Sequence, residues 1–217
     1  MDLQKIINKL KSRTPSILGS EKFSKYAILI PLIQMEDDIH LLFEVRSLQL
    51  RRQPGEVCFP GGRVDRTDRD EKHTAIRETS EELGIKEDHI HHVFPLDYMI
   101  SPFGTIIYPY VGHIRNPEMI NVNRSEVEKT FTVPLSYLKK TEPETFQIRF
   151  RVEPEKDFPF NQIIGGENYD WQIRKMEECF YYYEDKVIWG LTARILKHFI
   201  EILNSDGLGL NDQGSSL

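Results

Sequence analysis

The chain has 217 residues, 39% of them hydrophobic and 11% aromatic, and a formal net charge of −6. That is enough apolar material for a packed core, and one α/β domain is the expected organisation at this length. The acidic balance excludes a sequence-wide attraction to nucleic acid or anionic membrane. No apolar run approaches the ~20 residues that span a bilayer, so a cytoplasmic protein without membrane or stable nucleic-acid partners is expected.

In chain order, Leu3, Ile6, Ile7 and Leu10 fall at helical spacing and predict a short first helix instead of a continuous apolar signal core. YAILIPLIQ, residues 26–34, and IHLLFEVR, residues 39–46, are β-rich runs, and the four residues between them predict an antiparallel hairpin. Residues 47–70 carry Pro54, Gly55, Pro60, Gly61 and Gly62 among many Arg and Asp, the composition of a long polar loop with a short EVCF strand inside it. Loops of that length in compact domains are often functional. A helical pattern then runs from Asp70 or Glu71 to Leu83, with Gly84 placed to stop it.

HHVFPLDYMIS and IIYPYVGHI predict further strands, joined by a turn at Pro102-Phe103-Gly104. EVEKTFTVPLSYLKK, residues 126–140, reads as a helix or turn broken before Pro134, followed by a second short helical segment. In FQIRFRV, residues 146–152, Phe146, Ile148, Phe150 and Val152 alternate and predict a strand with one buried face. Residues 153–172, with Pro154, Pro159 and the Gly165-Gly166 pair, read as a loop or lid. CFYYYEDKVIWG predicts a hairpin turning at Glu184-Asp185-Lys186, LTARILKHFIEIL (191–203) an amphipathic closing helix, and residues 204–217 a flexible tail. Cys58 and Cys179 are far apart and lack metal-ligand spacing, so both read as free thiols.

RETSEELG, residues 77–84, gathers Glu78, Glu81 and Glu82. At about 100° per helical residue the three share one face roughly 100° wide, while Ile76, Thr79 and Leu83 mark the side that should pack on a sheet. Like charges at i,i+4 cost a few tenths of a kcal/mol, roughly, and the negative end of the helix dipole disfavours them further. A hard divalent cation would compensate, since Mg²⁺ combines a few carboxylates with waters and substrate phosphates. The other reading is a solvated charged face.

FPGGRVDRTDRDEKHTAIRETSEELGI, residues 59–85, resembles the Nudix box, G-x5-E-x7-R-E-U-x-E-E-x-G-U with U a bulky aliphatic residue, through Gly62, Arg77-Glu78, Glu81-Glu82, Gly84 and Ile85. It departs from the box at Thr79, which stands at an aliphatic position, and in the loop, which is one residue longer and has Asp68 in place of the usual glutamate. Upstream, LLFEVRSLQLRRQPGEVCFPGG, residues 41–62, resembles the signature of the coenzyme A diphosphatase branch of that family through Arg46, Ser47, Arg51, Gly55, Val57, Phe59 and Pro60.

The resemblance implies an α/β/α sandwich around a mixed β-sheet, with one domain over residues 1–203, the box at about 61–85 and the branch signature at about 41–62. It implies Mg²⁺ or Mn²⁺ held by Glu78 and Glu82, with Glu81 as a third ligand and a main-chain carbonyl at Gly61 or Gly62 contributing. Arg77 is expected to brace the loop against the helix, since a guanidinium bridges several acceptors. Glu81 and Glu126 are both candidates for the general base. Arg46 and Arg51 are the expected phosphate-binding residues. The implied reaction is hydrolysis of the diphosphate of coenzyme A or its derivatives, giving 4'-phosphopantetheine or its acyl form and adenosine 3',5'-bisphosphate. The same chemistry on NADH, ADP-ribose or a capped RNA end, and a non-catalytic nucleotide-sensing module, are the alternatives. Oligomeric state, monomer or homodimer, stays open.

Overall fold

The computed structural model describes residues 2–35 and 37–205. Asp2 caps the first helix, α1 (Leu3–Lys11), by accepting from the Gln4 N–H, but none of the helix's residues is buried. β1 (Ser24–Met35) and β2 (Asp38–Arg46) form the expected antiparallel hairpin, closing at Met35 opposite Asp38. Their period of two divides the core. Ile30, Leu41 and Phe43 point to one side of the sheet, and Leu29, Ile33 and Leu42 to the other.

The polar loop contributes two short strands, β3 (Val57–Cys58) paired with β2 and β4 (Gly61–Arg63) paired with β1. α2 (Glu71–Leu83) begins at Asp70, whose side chain accepts from the His73 N–H at 2.7 Å, and stops at Gly84 in the left-handed conformation. β5 (Ile90–Pro95), β6 (Met99–Ser101) and β7 (Thr105–Ile114) follow. β7 runs parallel to β1 and antiparallel to β5 and β6, so the sheet, in the order β3-β2-β1-β7-β5, is mixed.

β8 (Val127–Pro134) lies antiparallel on β2 and leads into the single-turn α3 (Leu135–Leu138). β9 (Glu144–Phe150), β10 (Arg174–Tyr183) and β11 (Lys186–Trp189) make a second, three-stranded sheet, and α4 (Gly190–Asn204) closes the described chain. α2 covers one face of the large sheet through Leu83 and Ile76. The other face packs on Ile195, Leu196 and Phe199 of α4 and on Tyr181 and Ile188 of the small sheet. The expected layering of helices on both sides of a mixed sheet is present. Among the described residues no helix is long and apolar enough to cross a membrane, and both cysteines are free.

Two expectations are corrected. Residues 127–134 are a strand, not the helix or turn read for 126–140: Val133 sits opposite Leu41, and Phe131 opposite Phe43, stacked on it with ring centroids 5.4 Å apart. Pairing with β2 and burial of Val127 and Val133 outweigh local helical preference. The short helical segment after Pro134 is present. β9 is a strand without a buried face, with Phe146 52% and Ile148 42% exposed, because among the described residues it is the edge strand of the small sheet, paired with β10 alone. Residues 153–172 are irregular, with single 3₁₀ turns at Phe160–Gln162 and Gly166–Asn168. The closing hairpin turns at Glu184-Asp185, Lys186 already being in β11. Of the expected tail, residues 206–217 lie outside the described residues.

Candidate functional site

Two glycines let β4 lie directly against α2. The Gly61 N–H donates to Glu82 Oε2 at 2.8 Å. A β-carbon on Gly61, whose φ is 150°, would come 2.4 Å from the Ala27 carbonyl oxygen, and one on Gly62 would come 2.2 Å from the Glu78 carboxyl carbon. Gly62 thus lets the loop backbone lie on the Glu78 carboxyl, while Gly61 fits against the β1 main chain and turns its N–H to Glu82.

The rest of the loop is organised by Asp68, whose side chain is only 1% exposed. It accepts two hydrogen bonds from Arg77, Nε at 2.9 Å and Nη2 at 3.0 Å, one from the Thr74 hydroxyl at 2.8 Å and one from the Asp65 N–H at 2.9 Å. Arg77 hydrogen bonds hold the Asp68 carboxyl well below the usual carboxylate range, and the Arg77 guanidinium is raised in turn. The same guanidinium donates to Glu78 Oε1 at 2.9 Å and to Glu81 Oε2 at 3.2 Å. Asp68 thus ties the long loop to the helix.

The C-terminus of α2 is bound to the chain that leads to β8. The N–H groups of Asn121 and Asn123 donate to the Leu83 and Glu82 carbonyls, both at 2.9 Å, satisfying acceptors that a helix end leaves open. Gly84 is required there, because a β-carbon would come 2.0 Å from the Asn121 carbonyl oxygen. The segment carries Glu126 to the site, and the Ser47 N–H donates to the Glu126 carbonyl at 2.8 Å. The branch signature around Arg46-Ser47 and the helix carboxylates are thereby joined.

Glu44 of β2 completes the cluster. It is 1% exposed and faces the α2 side, as Leu42 does, and its carboxyl contacts that of Glu82. Burial, and then the Glu82 charge, hold the Glu44 carboxyl well above its usual range. Glu82 is pushed up to about 8 by burial, reinforced by Glu126 and Glu78 and opposed by the Gly61 N–H. Burial also raises Glu78, against the pull of Arg77. The Cys58 thiol, opposite Glu44, is pushed up by burial and by that carboxylate, the reverse of what a nucleophilic thiol needs.

These carboxylates fit a hard divalent cation in kind. The donors are all oxygen, and Glu44 Oε1 is buried without a hydrogen-bond partner. As the side chains stand, no three His, Cys, Asp or Glu among the described residues form a finished cage.

Of the residues singled out from the sequence, Glu78, Glu82 and Glu126 come together, with Gly62 directly over Glu78. Arg46 lies beside Glu44 and Glu82, its Nη2 donating to the Arg52 carbonyl at 3.5 Å, while Arg51 is exposed in the loop. Glu81 stands outside the cluster, 55% exposed and bound to Arg77. The helical wheel's single outward face is corrected in part: Glu82 is only 6% exposed, because β4 and Glu44 cover it. Thr79, in the aliphatic position, is buried and satisfies its hydroxyl on the Ala75 carbonyl at 2.7 Å. Glu44 escaped the sequence reading. Its signal was a lone charge inside the apolar run IHLLFEVR.

A glycine loop laid over helix carboxylates, at the edge of a mixed sheet between helices, defines the class of site. The NUDIX domain family model matches residues 24–162, and the chain belongs to that family. It is 36% identical over 143 residues to peroxisomal coenzyme A diphosphatase NUDT7 of Mus musculus, a match covering 66% of this chain and 58% of that protein. It is 43% identical over 124 residues to peroxisomal coenzyme A diphosphatase ndx-8 of Caenorhabditis elegans, covering 54% and 53%. Identity to mitochondrial coenzyme A diphosphatase NUDT8 of Homo sapiens is 34% over 182 residues, covering 82% and 68%. The chain spans little more than half the length of the first two relatives.

Proposed function

We propose that the chain is a Mg²⁺- or Mn²⁺-dependent diphosphatase that hydrolyses coenzyme A or its derivatives to 4'-phosphopantetheine, or its acyl form, and adenosine 3',5'-bisphosphate. The observation that carries this reading is the main-chain hydrogen bond from Ser47 to Glu126, which ties the arginine-bearing signature to the segment that Asn123 binds to the C-terminus of the box helix. Three relatives at 34–43% identity bear the name coenzyme A diphosphatase, and their names are the support for coenzyme A over NADH or ADP-ribose.

Glu78 and Glu82 would hold the cation, with the Gly62 carbonyl beside them and Glu81 as a further ligand from the outer edge. When bound, the ion supplies neutralisation of phosphate oxygens and acidification of water. Arg77 positions Glu78 and Glu81 through the hydrogen bonds it donates to both. Glu126 is the better placed of the two candidate bases, because Glu81 is solvent-exposed and engaged by Arg77. Arg46 and Arg51 would bind the substrate's phosphates, Arg46 near the cluster and Arg51 from the exposed loop. Location in the cytoplasm is the accompanying proposal, checked by imaging a tagged chain, since two relatives are named peroxisomal and one mitochondrial.

The test is a panel of CoA, acetyl-CoA, NADH, ADP-ribose and a dinucleoside polyphosphate, with and without Mg²⁺, following phosphate-containing products. CoA cleavage that needs the metal is the expected result. Cleavage of NADH or ADP-ribose with CoA untouched would sink the substrate assignment. For the metal, Glu82→Gln is expected to lose at least about tenfold in rate at limiting Mg²⁺, and full activity would contradict the ligand assignment.

A further inference from the structure

We infer that Glu44 is a fourth acidic residue of the cation site, a positioning residue on β2 that acts through Glu82. The inference rests on the cation reading above and extends it to a residue that neither sequence motif specifies.

Glu44 lies on a central stretch of sheet, opposite Cys58 on β3 and Thr130 on β8, and its side chain is on the face that α2 covers. It is 1% exposed, and its Oε1 has no hydrogen-bond partner. Among the described residues no Lys, Arg or His forms an ion pair with it: Arg46 is the nearby cation, yet its own Nε is buried and unpaired and its Nη2 is turned to the Arg52 carbonyl. A buried carboxylate left in this way is costly unless a cation or a proton compensates it.

The geometry indicates what compensates it. Glu82 has Oε2 fixed by the Gly61 N–H, and its carboxyl is in contact with Glu44. Glu44 therefore backs Glu82 from the sheet side while Glu78 and Glu126 flank it. A cation drawn to Glu82 meets the field of a carboxylate that water cannot screen, and Glu44 limits how the Glu82 carboxyl can rotate. Groups behind a metal ligand commonly set its orientation and its affinity.

The competing account is a neutral Glu44 that fills the core and gives one hydrogen bond to Glu82. Glu44→Gln separates the two, because its amide keeps the volume and can still donate to Glu82 but carries no charge. Mn²⁺ binding is measured by calorimetry on wild type, Glu44→Gln, Glu44→Asp and Glu82→Gln, alongside thermal unfolding in EDTA.

The expected result is a Mn²⁺ dissociation constant raised about ten- to a hundredfold in Glu44→Gln, with a higher unfolding temperature in EDTA and partial recovery of affinity in Glu44→Asp. Affinity within twofold of wild type in Glu44→Gln, with Glu82→Gln impaired, overturns the role of Glu44 and leaves the cation reading standing. A Glu44→Gln chain that is destabilised or unfolded in EDTA makes the residue structural and overturns it as well. Wild type that fails to bind Mn²⁺, or binds it no better than Glu82→Gln, overturns both readings.

Discussion

Gly61 and Gly62 are adjacent, yet the missing β-carbons do different things. At Gly62 an added carbon meets the carboxyl end of Glu78, a flexible side chain that can swing aside. Gly62→Ala is therefore expected to change the unfolding temperature little while lowering hydrolysis at least about tenfold, since small misplacements of a reacting group are costly. Turnover and circular-dichroism melts on one preparation check this, and unchanged turnover would mean that Glu78 is not where the chemistry needs it. At Gly61 the obstacle is the Ala27 main chain, and φ is 150°. Gly61→Ala is expected to lose roughly 2–3 kcal/mol of stability through strain, seen as a lower urea midpoint.

At the scale of the element, the loop and α2 behave as one unit because Asp68 binds Arg77, Thr74 and the Asp65 N–H at once. Asp68→Asn should cost about 1–3 kcal/mol, below the value for a fully buried pair because Arg77 is partly open to water. The folded carboxyl lies below its unfolded value of about 3.9, so its contribution is present in full above about pH 4 and is lost as pH falls through the folded value. The stability difference between wild type and Asp68→Asn is thus expected at pH 7 and should shrink on acidification below about pH 4. A difference that is flat in pH would assign the effect to packing instead of charge.

For the whole molecule, the carboxylates come from β2, α2 and the segment before β8, and the loop strand β4 closes over them. Their mutual repulsion is carried by the entire fold, so a bound cation should stabilise all of it. At about a hundredfold excess over its dissociation constant, Mn²⁺ is expected to add about 2.7 kcal/mol, or roughly 5–10 °C in melting temperature for a chain of this size. Glu82→Gln should reduce that increment, and an equal increment in the variant would place the ion elsewhere.

The hairpin of β1 and β2, the limits of α2 and its stop at Gly84, and the closing helix were legible in the sequence because each is set by local signals: alternation, a cap, a left-handed glycine. That the Gly61-Gly62 backbone lies near Glu78 and Glu82 was implied by the resemblance to the box, and the structure sets Gly62 against Glu78 and the Gly61 N–H on Glu82. β8 was misread and β9 was assigned a buried face because strand pairing and layering depend on partners far along the chain. Glu44 was invisible for the same reason. Its neighbours Leu42 and Phe43 say that it lies in a strand, but only the docking of α2 decides that its carboxyl meets Glu82 in the interior. The chemistry of single residues and short-range geometry are written locally; which charges are buried together is decided by the tertiary structure, because burial is a property of the surroundings.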